Sequence, residues 1–309
     1  MVRTKAGSLN GLAAVVGQLG CLTHQANHLN VLAMSINHVE ETQFLDLPGG
    51  RLAYEISGPE GGPLVLCTPG MGDIRQAYRL MVQPLVAAGL RVVLMDQRGH
   101  GQSSSQWADY GSPLTGQDMI ALIKHLREPA TIIGHSSSAA AAVWAAAEEP
   151  KLVSTLVLLG PFARQRDLPA MMRLALAAVT SRAAIWSRIY YPTMYKAAKP
   201  ADFAAYVRAL QANLGEPGRM AATRGAMNRQ PECFDRVAKL DCPVLVVMGS
   251  RDPDFADPAA EATYTHQLIG AHTRTNIAMV DGAGHYPHAE LPDVTASAIL
   301  IFLAATINA

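Results

Sequence analysis

The sequence predicts an α/β fold, a mostly parallel, doubly wound sheet with an inserted helical cap. Three observations carry this. Short runs rich in Val, Ile and Leu recur with helix-like segments between them, the pattern of a parallel sheet covered on both faces. The rhythm breaks at Pro161, and residues 162–239 read as helical and Met/Tyr-rich with no strand pattern. It resumes at "CPVLVVMGS". The expected organisation is an α/β core from residues 41–161 and 240–309, a helical cap at 162–239, and an N-terminal extension at 1–40.

The elements follow in order. "TQFLDLP" and "RLAYEIS" flank Gly49-Gly50 and read as a hairpin. "PLVLCTPG" is a buried strand ending in a Pro-Gly break, "YRLMVQPLVAAG" a helix and "LRVVLMD" a strand. "TGQDMIALIKHLRE" reads as a helix, "ATIIG" as a strand, "SAAAAVWAAAEE" as a helix and "LVSTLVLLG" as a strand. After the insertion come "CPVLVVMGS", a helix over about 258–270, the strand "TRTNIAMV" and a final helix from Asp293.

Composition bounds the function. The chain has 309 residues, half of them apolar, and a formal net charge of zero. Such a chain packs a sizeable core, and its overall charge gives no reason to expect a nucleic-acid partner. Four cysteines without a close pair read as reduced thiols rather than a disulfide framework. No apolar run is long enough for a membrane span. Arg3 and Lys5 before "GLAAVVGQLGC" outline a signal peptide, but Asn10 and Gln18 interrupt it and no small-x-small cleavage site follows. A lipid-modified Cys21 would want Leu where Gln18 stands. Residues 1–40 are therefore expected to be a poorly ordered extension of a cytoplasmic protein. Within them His24 and His28 have the spacing of a zinc-binding helix, but Gln25 occupies the place of its general base, so no metal is expected.

The chemistry gathers at strand ends. Gly134-His135-Ser136-Ser137-Ser138 fits the nucleophile elbow G-x-S-x-G, with Ser138 in the last Gly position. The turn needs small neighbours because it is strained and the helix packs close to the strand. Asp252 follows one later strand and His285 another, in the chain order Ser, acid, His. "GHGQSS" after a strand looks like a dinucleotide loop but lacks its last Gly, so no cofactor is assigned.

On these residues the chain resembles the α/β-hydrolase superfamily. The landmarks are "TPGMG" (68–72), "MDQRGHGQS" (95–103), "GHSSS" (134–138), "GSRDPDF" (249–255) and "GAGHYPHAELPDV" (282–294). The resemblance implies Ser136 as nucleophile, His285 as base and Asp252 as the acid that orients it. It also implies an oxyanion hole from the backbone N–H groups of Ser137 and Met71. Met71 follows Pro69-Gly70, where the family more often has His-Gly. Asp254 and Asp257 share the loop with Asp252 and rival it, but Pro253 bends the chain away before Asp254, and Asp257, just before Pro258 and the next helix, reads better as an N-cap. His288 rivals His285 and is read as packing or substrate-side; His100 and His135 read as packing residues.

The expected activity is hydrolysis of a small carboxylic ester through an acyl-enzyme, with no metal or organic cofactor. Alternatives are carbon–carbon bond hydrolysis or cofactor-free perhydrolysis on the same triad, or a slow-turnover receptor for a small ligand. Dehalogenase and epoxide hydrolase readings fall because those relatives carry Asp at the elbow. Residues 162–239 hold thirteen Lys/Arg and five Asp/Glu, and the remainder twelve and twenty. A basic cap thus faces an acidic core; it either binds that core or meets an anionic substrate. Trp186, Tyr190, Tyr191 and Met194 either line an acyl pocket or pack the cap. A homo-oligomer stays open.

Overall fold

The computed structural model describes residues 41–164, 170–226 and 228–307. The expectations for residues 1–40 lie outside the described residues.

Eight strands form one sheet in the order β1-β2-β4-β3-β5-β6-β7-β8. They are β1 (Gln43–Leu47), β2 (Gly50–Ser57), β3 (Leu64–Thr68), β4 (Arg91–Met95), β5 (Ala130–His135), β6 (Val153–Leu159), β7 (Val244–Gly249) and β8 (Thr275–Val280). The β1–β2 hairpin turns at Pro48-Gly49, where Gly49 takes φ +97°. It joins β4 antiparallel, and all other pairings are parallel.

The helices of the sheet layers are α1 (Arg79–Ala87), α2 (Ser112–Leu126), α3 (Ser137–Glu148), α8 (Pro258–Gly270), α9 (Pro287–Glu290) and α10 (Pro292–Ile307). Between β6 and β7 lie α4 (Ala170–Val179), α5 (Phe203–Leu214), α6 (Arg219–Gly225) and α7 (Gln230–Phe234). A π-helical turn at Trp186–Tyr190 and a 3₁₀ turn at Tyr191–Met194 also belong to this stretch. The described residues of this stretch include no strand.

Strand alternation divides the core in two. Leu64 and Leu66 of β3 face one side, with Ile132 and the alanines of α3; Val65 and Cys67 face the other, with Met81 and Leu85 of α1 and Phe302 of α10. Both faces are buried, which is why the strands read as continuous apolar runs. The alanines of α3 allow a close approach to α2: a Cβ on Gly116 would lie 2.7 Å from the Ala141 carbonyl oxygen.

This topology positions the site. β3 lies between β4 and β5, so the strand order reverses there, and it is beyond the carboxyl ends of the strands at such a point that open α/β sheets form their ligand crevice. Thr68 pairs with Gly134 in register. The segment after β3 therefore leaves the sheet beside the segment after β5.

Candidate active site

Ser136 sits between β5 and α3 at φ 54°, ψ −116°, a strained conformation for a non-Gly residue. Its surroundings impose this. The Ser136 N–H donates to the Leu159 carbonyl at 2.9 Å, and the Ser136 carbonyl accepts from Ala139 N at 3.0 Å. A Cβ at Gly134 would lie 2.4 Å from the Ser138 carbonyl oxygen, so only glycine allows α3 to start this close to β5. Backbone strain held by close packing is common where a side chain must be presented for chemistry.

The loops after β7 and β8 bring an acid to His285. Its Nδ1–H donates to Asp252 Oδ2 at 2.7 Å, and both side chains are almost fully buried. In the neutral imidazole the bare nitrogen is then Nε2. Gly160, after β6 with φ +54°, leaves room for the pair: a Cβ there would meet His285 Cε1 at 3.1 Å and Asp252 Oδ2 at 3.4 Å. Burial alone would push the imidazole down. The Asp252 carboxylate outweighs it, helped by Asp254 and Glu290, and raises the pKa to about 9.

Asp254 contributes because it comes closer than its sequence position suggests. Pro253 was expected to turn it away, yet its N–H donates to Asp252 Oδ1 at 3.0 Å, and this tight turn returns the side chain to the crevice. Asp254 Oδ2 lies 3.7 Å from His285 Nε2, and Oδ1 accepts from the Tyr190 hydroxyl at 3.2 Å. Asp257 caps α8 by accepting from Ala260 N at 2.9 Å. Asp252, Asp254 and His285 offer donor atoms within 4.8 Å of one another, the set a metal ion would find here; in that set Asp252 is already bonded to Nδ1. Ser136 Oγ makes no hydrogen bond to His285 among the described residues. In unliganded sites such contacts often tighten only when substrate binds.

The loop after β3 passes over Ser136, with a Cβ on Gly70 falling 3.0 Å from Ser136 Cβ. The Gly72 N–H donates to His100 Nε2 at 3.0 Å, and His100 Nδ1–H donates to the Arg98 carbonyl at 3.0 Å. Burial lowers the His100 pKa to about 4, which keeps it neutral and able to accept. The Gly72 carbonyl accepts from Trp186 Nε1 at 2.8 Å. The N–H groups of Met71 and Ser137 donate to no acceptor among the described residues. Ser137 directly follows Ser136, and Gly70, the residue before Met71, packs against it.

The other residues singled out in the sequence brace this crevice. His135 Nε2–H donates to the His285 carbonyl at 2.8 Å. His288 is fully buried and stacks on Tyr78 at 4.6 Å between ring centroids. Trp186 and Tyr190 reach the crevice through Gly72 and Asp254. Tyr191 is fully buried, its hydroxyl on Asp73 Oδ2 at 3.1 Å, and Met194 accepts the His285 N–H on its carbonyl at 2.9 Å. Met171 and Met172, by contrast, face outward.

Two acids have no local signal in the sequence. Buried Asp73 accepts from Tyr206 and Tyr191, tying the β3 loop to the insertion. Burial raises its pKa to about 7. Glu290 accepts four backbone N–H groups, from Gly284 (2.9 Å), Tyr286 (3.2 Å), Lys196 and Ala197 (both 2.7 Å). It thus holds the residues on either side of His285 and the segment after Met194. A separate cavity of about 420 Å³ opens near Arg51, Gln102 and Arg219; Ser136, Asp252 and His285 do not line it.

Comparison with known proteins bears on the family and the fold. Residues 61–292 match the family described as serine aminopeptidase, S33. A 2-(acetamidomethylene)succinate hydrolase of Mesorhizobium japonicum is 28% identical over 272 residues, covering 82% of this chain and 92% of its own length. A monoacylglycerol lipase of Mycolicibacterium smegmatis is 27% identical over 226 residues, covering 69% and 79%. The crystal structure of bromoperoxidase from Bacillus anthracis superposes with a TM-score of 0.73 at 18% identity, covering 85% of this chain and 99% of that one. That identity carries the fold alone. With its mostly parallel sheet and its match over most of its length, this chain belongs to the α/β-hydrolase superfamily, in the serine aminopeptidase S33 family.

Proposed function

We propose that the protein is a serine hydrolase that cleaves a small carboxylic ester through an acyl-enzyme. The observation that carries the reading is the strained elbow at Ser136 together with the 2.7 Å Asp252–His285 contact one crevice wall away. Ser136 Oγ attacks the ester carbonyl while His285 Nε2 takes its proton. Asp252 holds the tautomer that leaves Nε2 bare and stabilises the imidazolium once formed. The N–H groups of Met71 and Ser137 receive the developing oxyanion. Collapse expels the alcohol, which takes the proton from Nε2, and water then releases the acid by the same steps in reverse.

Residues 162–239 act as a cap over this crevice, with Trp186 and Tyr190 at its substrate side and Tyr191 and Met194 holding it in place. Part of the cap's positive charge is matched by the core. Arg236 and Lys239 pair with Glu148, and Arg164 with Glu261, whereas the Arg229–Glu232 and Arg219–Glu216 pairs lie within the cap itself. This favours a cap that binds the acidic core over one that collects anionic substrate. The relative named for 2-(acetamidomethylene)succinate keeps a carboxylate-bearing ester in the test.

The experiment is an ester panel varying acyl length and charge, run on the wild type and Ser136→Ala. Neutral short-chain esters should turn over in the wild type only. Equal turnover in Ser136→Ala removes the reading. A preference for anionic esters that salt erodes would return the cap to substrate binding.

A further inference from the structure

Two positions depart from the usual family pattern, Ser138 at the end of the elbow and Pro69 at the start of the β3 loop. In the structure they touch. The Ser138 hydroxyl donates to the Pro69 carbonyl at 2.6 Å across 69 residues of sequence, and Ser138 is fully buried. We infer that Ser138 is a positioning residue for the oxyanion hole, its hydroxyl tying the two N–H donors into one geometry. The inference rests on the roles proposed above for Met71 and Ser137.

The covalent path explains why this one contact matters. Ser138 directly follows Ser137, which carries one donor. Pro69 lies two residues before Met71, which carries the other. Proline has no N–H, so this segment cannot be anchored through its own amide at that position. Its carbonyl takes over as anchor, accepting from Ser138 Oγ and from Gln97 Nε2. Beyond Met71 the loop is held again at Gly72, by His100 and Trp186. Met71 is thus fixed from both sides, and Ser138 supplies the link that refers it to the elbow. Glycine at position 138 would leave the same space but no donor. Proline at 69 and serine at 138 therefore form a matched pair, the hydroxyl replacing an anchor that the imino acid removes.

Loss of a positioning contact should be felt in the transition state more than in substrate binding, because the oxyanion forms only there. Removing an oxyanion donor outright costs about 10²–10³-fold in kcat. Displacing one that remains present should cost about 10–100-fold in kcat, with KM changed less than about threefold. The test compares wild type, Ser138→Ala, Ser138→Gly and Ser136→Ala on p-nitrophenyl butyrate. A trifluoromethyl ketone, whose tetrahedral adduct places an oxyanion in the hole, and butan-1-ol, a neutral ligand with no carbonyl or carboxylate oxygen to place there, serve as inhibitors. Both Ser138 variants should lose kcat and trifluoromethyl ketone affinity by a similar factor and keep butan-1-ol affinity. A merely structural Ser138 would lower the melting temperature and leave the ratio of the two inhibitors unchanged, which overturns the inference. An active Ser136→Ala instead overturns the serine-hydrolase reading itself. A dead Ser136→Ala beside Ser138 variants with normal kcat rejects the positioning role alone.

Discussion

Asp254→Asn should make the enzyme more active at neutral pH. The proposed base is His285 Nε2, and a base must be unprotonated to act. Its pKa is raised to about 9, so at pH 7 most of the free enzyme holds an imidazolium. Asp252 is required on Nδ1, but Asp254 faces Nε2 at 3.7 Å and stabilises only the charged form. Two unit charges at that distance interact by about 1 kcal/mol in bulk water and about 4.5 kcal/mol at an effective dielectric constant of 20. The Asp254 side chain is 21% exposed, so solvent screens it and the lower part of that range applies. About 1.4 kcal/mol corresponds to one pKa unit. The acid limb of kcat/KM reports the free enzyme. It should fall from a midpoint of about 9 to about one unit lower in Asp254→Asn, raising kcat/KM at pH 7 about tenfold. The assay is kcat/KM for a neutral ester from about pH 6 to 10 in both proteins. Added salt should narrow the gap between them. An unmoved limb, or one that shifts upward, would refute the idea that Asp254 charges the working imidazole.

Asp252→Asn should leave folding intact and lower kcat by about 10⁴-fold, as loss of the correct tautomer does in the serine-protease case; near-normal kcat would move the acid role to Asp254. Asp257→Ala removes the cap of α8 and should cost about 1 kcal/mol of stability by denaturant unfolding with kcat unchanged; a loss of kcat at unchanged stability would place Asp257 in the site. Glu290→Gln keeps one accepting oxygen for two of the four N–H groups and presents its amide donors to the other two. It should lower stability by about 1–3 kcal/mol or more and reduce kcat, because the residues beside His285 are released; a variant with unchanged melting temperature would show that these contacts contribute nothing. Stability has a pH arm as well. The raised pKa of His285 means its contribution is fully present below the unfolded value of about 6.5 and is lost as pH rises through about 9. His285→Gln should flatten unfolding free energy between those values.

The features legible in the sequence are those set by neighbours along the chain. β3, β5, β6 and β7 are buried on both faces, so unbroken Val/Ile/Leu runs reveal them. The elbow is legible because Gly134 and Ser136 must be small or strained within three residues. Asp257-Pro258 announces the start of α8, since a short side chain caps the helix and proline opens it. What could not be read are contacts made by distant parts of the chain. Nothing around Glu290 says that amides of Lys196 and Ala197 converge on it. Nothing around Asp73 foretells the hydroxyls of Tyr191 and Tyr206. Asp254 misled for a local reason: Pro253 suggests a departing chain, while the hydrogen bond from Asp254 N to Asp252 Oδ1 folds it back. The Met/Tyr-rich composition of the insertion indicates helices but not which side chains turn inward, so Tyr191 is buried and Met171 is 82% exposed.

The central claim is that Ser136 carries the acyl group during turnover. Acid-quenched mass spectrometry of the enzyme during hydrolysis of a slow ester tests it directly. The account predicts a mass increase equal to the acyl group, mapped to the peptide containing Ser136 and absent from Ser136→Ala. Steady turnover with an unmodified Ser136 peptide, undiminished in Ser136→Ala, would contradict it.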